Sequence, residues 1–87
     1  MKKLPKVSII IRTKNEERWI ASCLDKIYSQ TYKNFEIIIA DNCSTDKTVV
    51  KAKKYPIKLI KIKKFFPGKA INDAIKVSSG EIIICLS

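Results

Sequence analysis

The chain has no histidine and only three cysteines, Cys23, Cys43 and Cys85, which are odd in number and widely spaced. With no Cys-x-x-Cys pair and no imidazole, neither a zinc site nor a disulfide framework is expected, and reduced thiols in a cytoplasmic setting are the default reading. Ser-His and Cys-His nucleophilic machinery is excluded from these residues for the same reason. Glycine is scarce as well, two in 87 residues, and the Gly-rich patterns Gly-x-x-x-x-Gly-Lys-Ser/Thr and Gly-x-Gly-x-x-Gly are both missing. That excludes a P-loop and argues against a dinucleotide fold. No apolar run approaches the roughly 20 residues of a membrane span. The basic start Met1-Lys2-Lys3 is followed by an apolar run that ends at Arg12, so no signal peptide is expected.

Acidic residues are also in deficit. Eighteen Lys and Arg face eight Asp and Glu, a net charge of +10, which favours anionic partners such as nucleotides, phosphates, nucleic acid or an anionic membrane surface. A hydrophobic content of 46% is that of a globular chain, and 87 residues make one domain with a modest core.

Four short apolar runs alternate with helical spacing. Val7 to Ile11, Phe35 to Ala40, Ile57 to Ile62 and Glu81 to Leu86 read as strands. The first reads as a buried strand, and the second, nearly continuous and β-branched, as a strand buried on both faces, while the last would be an exposed, apolar edge. Ile20, Cys23, Leu24 and Ile27 give one amphipathic helix, started by Asn15 or by Thr13 with Glu16. A second helix is expected over Thr45 to Lys54, capped by Ser44 or Thr45, with Val49, Val50 and Ala52 inward. Pro67 opens a third, whose inward face is Ile71, Ala74, Ile75 and Ser78, with Gly80 as its C-cap and Lys63 to Phe66 as the loop before it. The β-α-β-α-β-α-β order argues a three-layer α/β/α, Rossmann-like parallel sheet, and the lysine-striped third strand suits an edge, which gives strand order 3-2-1-4.

In such a sheet ligands bind beyond the carboxyl ends of the strands. The loops Arg12 to Glu16 and Asp41 to Asp46 share that edge and present a cation, hydroxyls, an amide and carboxylates near two helix starts. Asp41, an ionised carboxylate ending a buried strand, needs donors that a ligand, a backbone turn or water could provide. A base N–H such as uracil N3 is one such donor, with Arg12 and Thr13 beside the base or ribose. Gly68 and Lys69 at the third helix start could face a diphosphate. Each residue also has an ordinary structural use. Asn15 and Ser44 suit helix caps, Asp46 complements a helix dipole, and Lys69 suits a solvated surface.

Four motifs follow one another: Val7-Ser8-Ile9-Ile10-Ile11-Arg12-Thr13-Lys14-Asn15-Glu16-Glu17, then Ser29-Gln30-Thr31-Tyr32-Lys33-Asn34-Phe35-Glu36, then Ala40-Asp41-Asn42-Cys43-Ser44-Thr45-Asp46, then Gly80-Glu81-Ile82-Ile83. In this order and spacing they resemble the opening, the S-Q-T-Y-x-x-F-E connection, the V-D-D-G-S-T-D loop and the G-E-Y-I of family 2 glycosyltransferases of the GT-A fold. Phe65-Phe66-Pro67-Gly68-Lys69-Ala70-Ile71-Asn72 is similar to a rhamnosyltransferase-like branch of that family. The resemblance implies a nucleotide-binding site at Arg12, Thr13, Glu16, Asp41, Ser44, Gly68, Lys69 and Asn72. It also implies transfer of a sugar from a UDP- or dTDP-linked donor to a glycan or lipid acceptor hydroxyl. In the complete family enzyme a Mg²⁺ or Mn²⁺ ion neutralises the leaving diphosphate and a carboxylate base activates the acceptor.

Arg12 stands where proline is common in the family and Lys14 where tyrosine is. The family's D-x-D metal motif would begin at Ser87, with serine in place of the first aspartate. No catalytic residue or metal ligand is therefore assigned within the 87 residues, which read as a single, truncated nucleotide-diphospho-sugar-binding domain, inactive alone. Its expected place is cytoplasmic, at the inner membrane face in full-length form. A homo-oligomer through the strand-four edge is expected too. Rival readings are a non-catalytic nucleotide-binding or regulatory module and a basic nucleic-acid-binding domain. The second lacks an interleaved aromatic-basic face, so no nucleic-acid partner is expected.

Overall fold

The computed structural model describes residues 4–62 and 67–86, without the side chains of residues 67–70. The elements run β1 (Val7–Thr13), α1 (Ile20–Tyr28), β2 (Phe35–Asp41), α2 (Thr48–Ala52), β3 (Lys58–Lys61), α3 (Pro67–Val77) and β4 (Ile82–Leu86). All strand pairs are parallel and the sheet order is β3-β2-β1-β4, as the alternation of runs predicts. The expected loop over residues 63–66 and the Phe65-Phe66 pair lie outside the described residues.

Side-chain alternation divides the core into two layers. Ile11, Ile37 and Ile39 face α1 and α2, where they pack with Ile20, Leu24, Ile27 and Ala52. Ile10 and Ile38 face α3 and meet Ala74. The five isoleucines of β1 and β2 in these layers are at most 1% exposed. Burying such a side chain contributes roughly 1.5–3 kcal/mol each, so this pair of central strands is the main source of stability.

Several element ends differ from expectation, for local reasons. β1 continues through Arg12 and Thr13 because their register partners Ala40 and Asp41 are still in β2. α1 begins only at Ile20, with Trp19 and Ile20 N–H groups on Glu16 O, and neither Thr13 nor Asn15 caps it. α2 is shorter than Thr45 to Lys54; Thr48 and Ala52 are its buried residues, while Val50 is 62% exposed. Ile75 likewise points outward, leaving Ala74 as the buried residue of α3. Gly80 does not cap α3 in a left-handed turn. A Cβ there would lie 2.4 Å from Ser8 Oγ and 2.6 Å from Ser8 N, so its role is close approach to β1.

That approach belongs to a polar clamp at the amino edge of the sheet. Glu36 and Ser8 are register partners, and Ser8 Oγ donates to Glu36 Oε2 at 2.6 Å. Ser79 N donates to the same oxygen at 2.6 Å, and Gly80 N donates to Ser8 Oγ at 2.8 Å. Lys58 Nζ sits 2.9 Å from Glu36 Oε1 and also donates to Val77 O. The clamp therefore ties the α3–β4 connection to β1, β2 and β3. Burial by itself would raise the Glu36 carboxyl, but the hydrogen bonds from Ser8, Lys58 and Ser79 outweigh it and lower it from an ordinary 4.5 to about 2.

Because the folded value lies below the unfolded one, the stabilisation is complete above pH 4.5 and is lost as pH falls toward 2. Urea unfolding of Glu36→Gln against the parent chain should show a deficit of about 3 kcal/mol at neutral pH that closes across that acid window. A deficit independent of pH would show that the carboxylate charge is not what the clamp holds.

Candidate functional site

At the opposite, carboxyl edge, β1 and β2 end side by side, and Thr13 is paired in register with Asp41. Both face the α1–α2 layer and both are 2% exposed. Asp41 Oδ1 accepts from Thr13 Oγ1 at 2.6 Å and from Ser44 Oγ at 2.5 Å, while Oδ2 accepts from Ser44 N at 2.9 Å. The donors that a buried strand-end carboxylate requires thus come mainly from its own turn and the neighbouring strand. Oδ2, with one internal donor, retains acceptor capacity.

The two loops beyond this pair are bonded to each other and to the first residue of α2. Asn15 Oδ1 accepts from Thr45 N at 2.8 Å and Asp46 N at 3.3 Å, and Asn15 N donates to Ser44 Oγ. Glu16 N donates to Thr48 Oγ1 at 2.7 Å, and Trp19 Nε1 donates to Glu16 Oε2. Asp46 Oδ1 takes the Thr48 N–H and hydroxyl, and Glu17 N donates to its Oδ2. Those hydrogen bonds outweigh burial and hold the Asp46 carboxyl below the usual carboxylate range. Asp46, and not Ser44 or Thr45, therefore takes the first N–H group of α2, that of Thr48.

Of the expected site residues, Thr13, Glu16, Asp41 and Ser44 are joined in this network, directly or through Thr48 and Asn15. Arg12 is half-buried and, by alternation along β1, lies on the α3 side of the sheet with Ser8 and Ile10. Asn72 is exposed on α3. The backbone of Gly68 and Lys69 lies in the first turns of α3, and their side chains are outside the description. Among the described residues no group of three or more Cys, Asp or Glu is placed to hold a metal ion, so no step is assigned to a metal here. A separate cavity of about 310 Å³, lined by Trp19, Ser22, Cys23, Lys26, Ile27 and Leu86, contains none of the expected residues. Burial pushes the Cys23 thiol up against the opposing charge of Lys26, which keeps it a poor nucleophile.

Three features escape the pattern reading. Thr48 bridges the loops, and nothing in its spacing marks it. Asn42 is half-buried, and its side chain makes no hydrogen bond with the described residues. Cys43 has φ 51°, in the left-handed region, and Asn15 has φ 55°. The signal for Cys43 was available, because the motif it resembles carries glycine at that place. Its thiol donates to Ile62 O at 3.2 Å and its carbonyl accepts from Lys14 Nζ at 3.1 Å.

The two left-handed positions should answer glycine in opposite ways. Cys43→Gly removes a side chain from a strained backbone and should raise stability by about 0.5–1 kcal/mol. Asn15→Gly relieves less, because asparagine tolerates this region, and it deletes the cross-loop acceptor, so stability should fall by about 1 kcal/mol. Urea midpoints of both variants check the pair; shifts of the same sign would refute the distinction.

Residues 8–87 match the sequence profile of Glycosyl transferase family 2. The chain is 34% identical over 87 residues to the poly(ribitol-phosphate) beta-N-acetylglucosaminyltransferase TarS of Staphylococcus aureus, covering 91% of this chain and 15% of that enzyme. It is 42% identical over 87 residues to a dolichyl N-acetyl-alpha-D-glucosaminyl phosphate 3-beta-D-2,3-diacetamido-2,3-dideoxy-beta-D-glucuronosyltransferase of Methanococcus voltae, covering 90% of this chain and 27% of that one. The crystal structure of TarS 1-349 in complex with UDP-GlcNAc superposes with a TM-score of 0.84 at 31% identity over 93% of this chain and 26% of TarS 1-349. A mannosyltransferase from Pyrobaculum calidifontis in complex with GDP-Man and Mn²⁺ superposes with a TM-score of 0.82 at 31% identity, again over 93% of this chain and 26% of its own. The chain thus spans well under a third of the length of each of these proteins.

Proposed function

The chain belongs to glycosyl transferase family 2, with the strand order and helices of the GT-A fold, and from that premise we propose that the β1–β2 carboxyl edge seats the nucleotide of a UDP- or dTDP-linked sugar donor. The observation that carries this reading is the Asp41 network. It spends a buried carboxylate, three hydroxyls and an asparagine on holding two loops together at the edge where open α/β sheets take ligands. In this reading Asp41 orders Thr13 and Ser44, and the remaining capacity of Oδ2 accepts a base N–H such as uracil N3. Asn42, with its carboxamide uncommitted, faces the same ligand. Arg12 and Asn72, with the Gly68-Lys69 turn, lie toward the ribose and diphosphate, and Glu16 fixes the first loop.

The relatives' printed partners, UDP-GlcNAc in one case and GDP-Man with Mn²⁺ in the other, support a nucleotide-sugar donor and a divalent metal for the longer enzymes. For the protein that contains this chain we propose hexosyl transfer to a glycan or lipid hydroxyl, carried out on the cytoplasmic side at the inner membrane face. The metal and the base that activates the acceptor would come from residues other than those described here. The 87 residues alone are therefore expected to bind the donor without transferring sugar.

Calorimetric titration of the chain with UDP and dTDP, with and without Mn²⁺, tests the seat. Binding should weaken at least tenfold in Arg12→Ala and Asn42→Ala at unchanged melting temperature, and vanish in Asp41→Ala, which also disturbs the loops. Full affinity in all three variants would place the nucleotide elsewhere.

A second copy is the proposed partner for β4, a sheet edge whose Ile82, Ile83, Ile84 and Leu86 are 39–45% exposed. Light scattering should give a mass that rises with concentration and falls back to that of the monomer when Ile83 is replaced by Lys. A monomer throughout would refute the pairing.

A further inference from the structure

Charge is distributed unevenly along the chain. Between Lys47 and Asn72 there are nine lysines (47, 51, 53, 54, 58, 61, 63, 64 and 69) and no aspartate, glutamate or arginine. The described part of this stretch builds α2 and β3, and β3 is one border of the sheet. Lys58 is drawn onto Glu36, and Lys51 donates to Glu17 O at 2.9 Å. Lys47, Lys53, Lys54 and Lys61 are exposed and make no ion pair among the described residues. Val50, 62% exposed on α2, lies between the exposed Lys47 at the N-cap and the exposed Lys53 and Lys54 at and just past the helix end in the chain.

We propose that the α2–β3 border is the face by which this domain lies on an anionic lipid surface. The idea rests on the membrane-face part of the proposed function and not on its nucleotide part. Lysine is a hydrated point charge on a flexible stem, suited to a diffuse negative surface, whereas base recognition uses bidentate arginine or amide groups, which this border lacks. Among the described residues, stacking platforms for single strands are absent as well. Tyr55, the aromatic ring at this border, stacks on Tyr28 with 6.0 Å between centroids, and its hydroxyl donates to Asp25. No helix among the described residues is long and apolar enough to cross a membrane, so the contact is peripheral. Lys61 is the register partner of Asp41, so the lipid face adjoins the Asp41 edge without drawing a side chain out of its hydrogen-bond network.

The test is co-sedimentation of the 87-residue chain with phosphatidylcholine vesicles with and without phosphatidylglycerol, at low and high salt. Binding should require phosphatidylglycerol and fall with salt. The triple variant Lys53→Gln, Lys54→Gln, Lys61→Gln should lose about a hundredfold in partition, on a scale of roughly fivefold per surface lysine. A control with the same charge change elsewhere, Lys26→Gln, Lys33→Gln, Lys76→Gln, should lose far less. Equal losses in the two variants would keep a membrane location but overturn this border as its cause. No vesicle binding at low salt, or tighter binding to duplex DNA than to the anionic vesicles, would overturn the proposal, while leaving the UDP titration free to succeed.

Discussion

Asp41 carries a charge at the end of a strand that is buried on both faces, and the rest of the carboxyl edge is arranged around satisfying it. An ionised carboxylate taken almost wholly out of water is costly unless its oxygens are hydrogen-bonded. Here Thr13 and Ser44 meet that requirement from two different segments, so the strand register that pairs Thr13 with Asp41 and the turn that returns Ser44 are coupled to one another. Once those are set, Asn15 and Thr48 complete the joint between the loops, and the backbone accepts left-handed geometry at Asn15 and Cys43 to do so. Ser44 serves the carboxylate and not a helix terminus because the carboxylate's need is greater.

The two edges of the sheet use one chemistry for different purposes. At the amino edge Glu36 collects donors from Ser8, Ser79 and Lys58 and locks the incoming β4 connection. At the carboxyl edge Asp41 collects donors from Thr13 and Ser44 and leaves Oδ2 with a single internal donor. Glu36 is matched by a lysine ammonium at 2.9 Å, while Asp41 is matched only by neutral donors. The amino edge is a closed structural site, while at the carboxyl edge Oδ2 of Asp41 retains acceptor capacity.

How much of this could be read beforehand differs by feature. The β-α-β alternation and the lysine stripe of β3 were enough for the strand order, because parallel crossovers have one hand and lysine belongs at a border. The motif resemblance implied a nucleotide site at Arg12, Thr13, Glu16, Asp41, Ser44, Gly68, Lys69 and Asn72, of which Thr13, Glu16, Asp41 and Ser44 share one hydrogen-bond network, and residues 8–87 match the family. Helix limits were less legible. Thr13, Asn15, Ser44 and Thr45 all have the side chains of caps, and the choice between capping a helix and bonding a distant loop depends on which donor is brought near. Val50 was misplaced inward because a five-residue helix gives too few turns to fix its rotation from spacing alone, and Ile75 because the face of α3 that meets Ile10 and Ile38 centres on its neighbour Ala74.

By itself the amino-acid sequence determined the fold class, the strand order, the family and the border on which lysines gather, since each follows from periodicity, composition or contiguous motif. Tertiary structure decided the partners. That Glu36 reaches Ser79, that Asn15 spans to Thr45 and that Gly80 lies against Ser8 are contacts between segments about 30 to 70 residues apart in the chain. Local pattern carries no information about such distances; only the parallel register, set by burying the isoleucines of β1 against those of β2, brings these groups within hydrogen-bond reach.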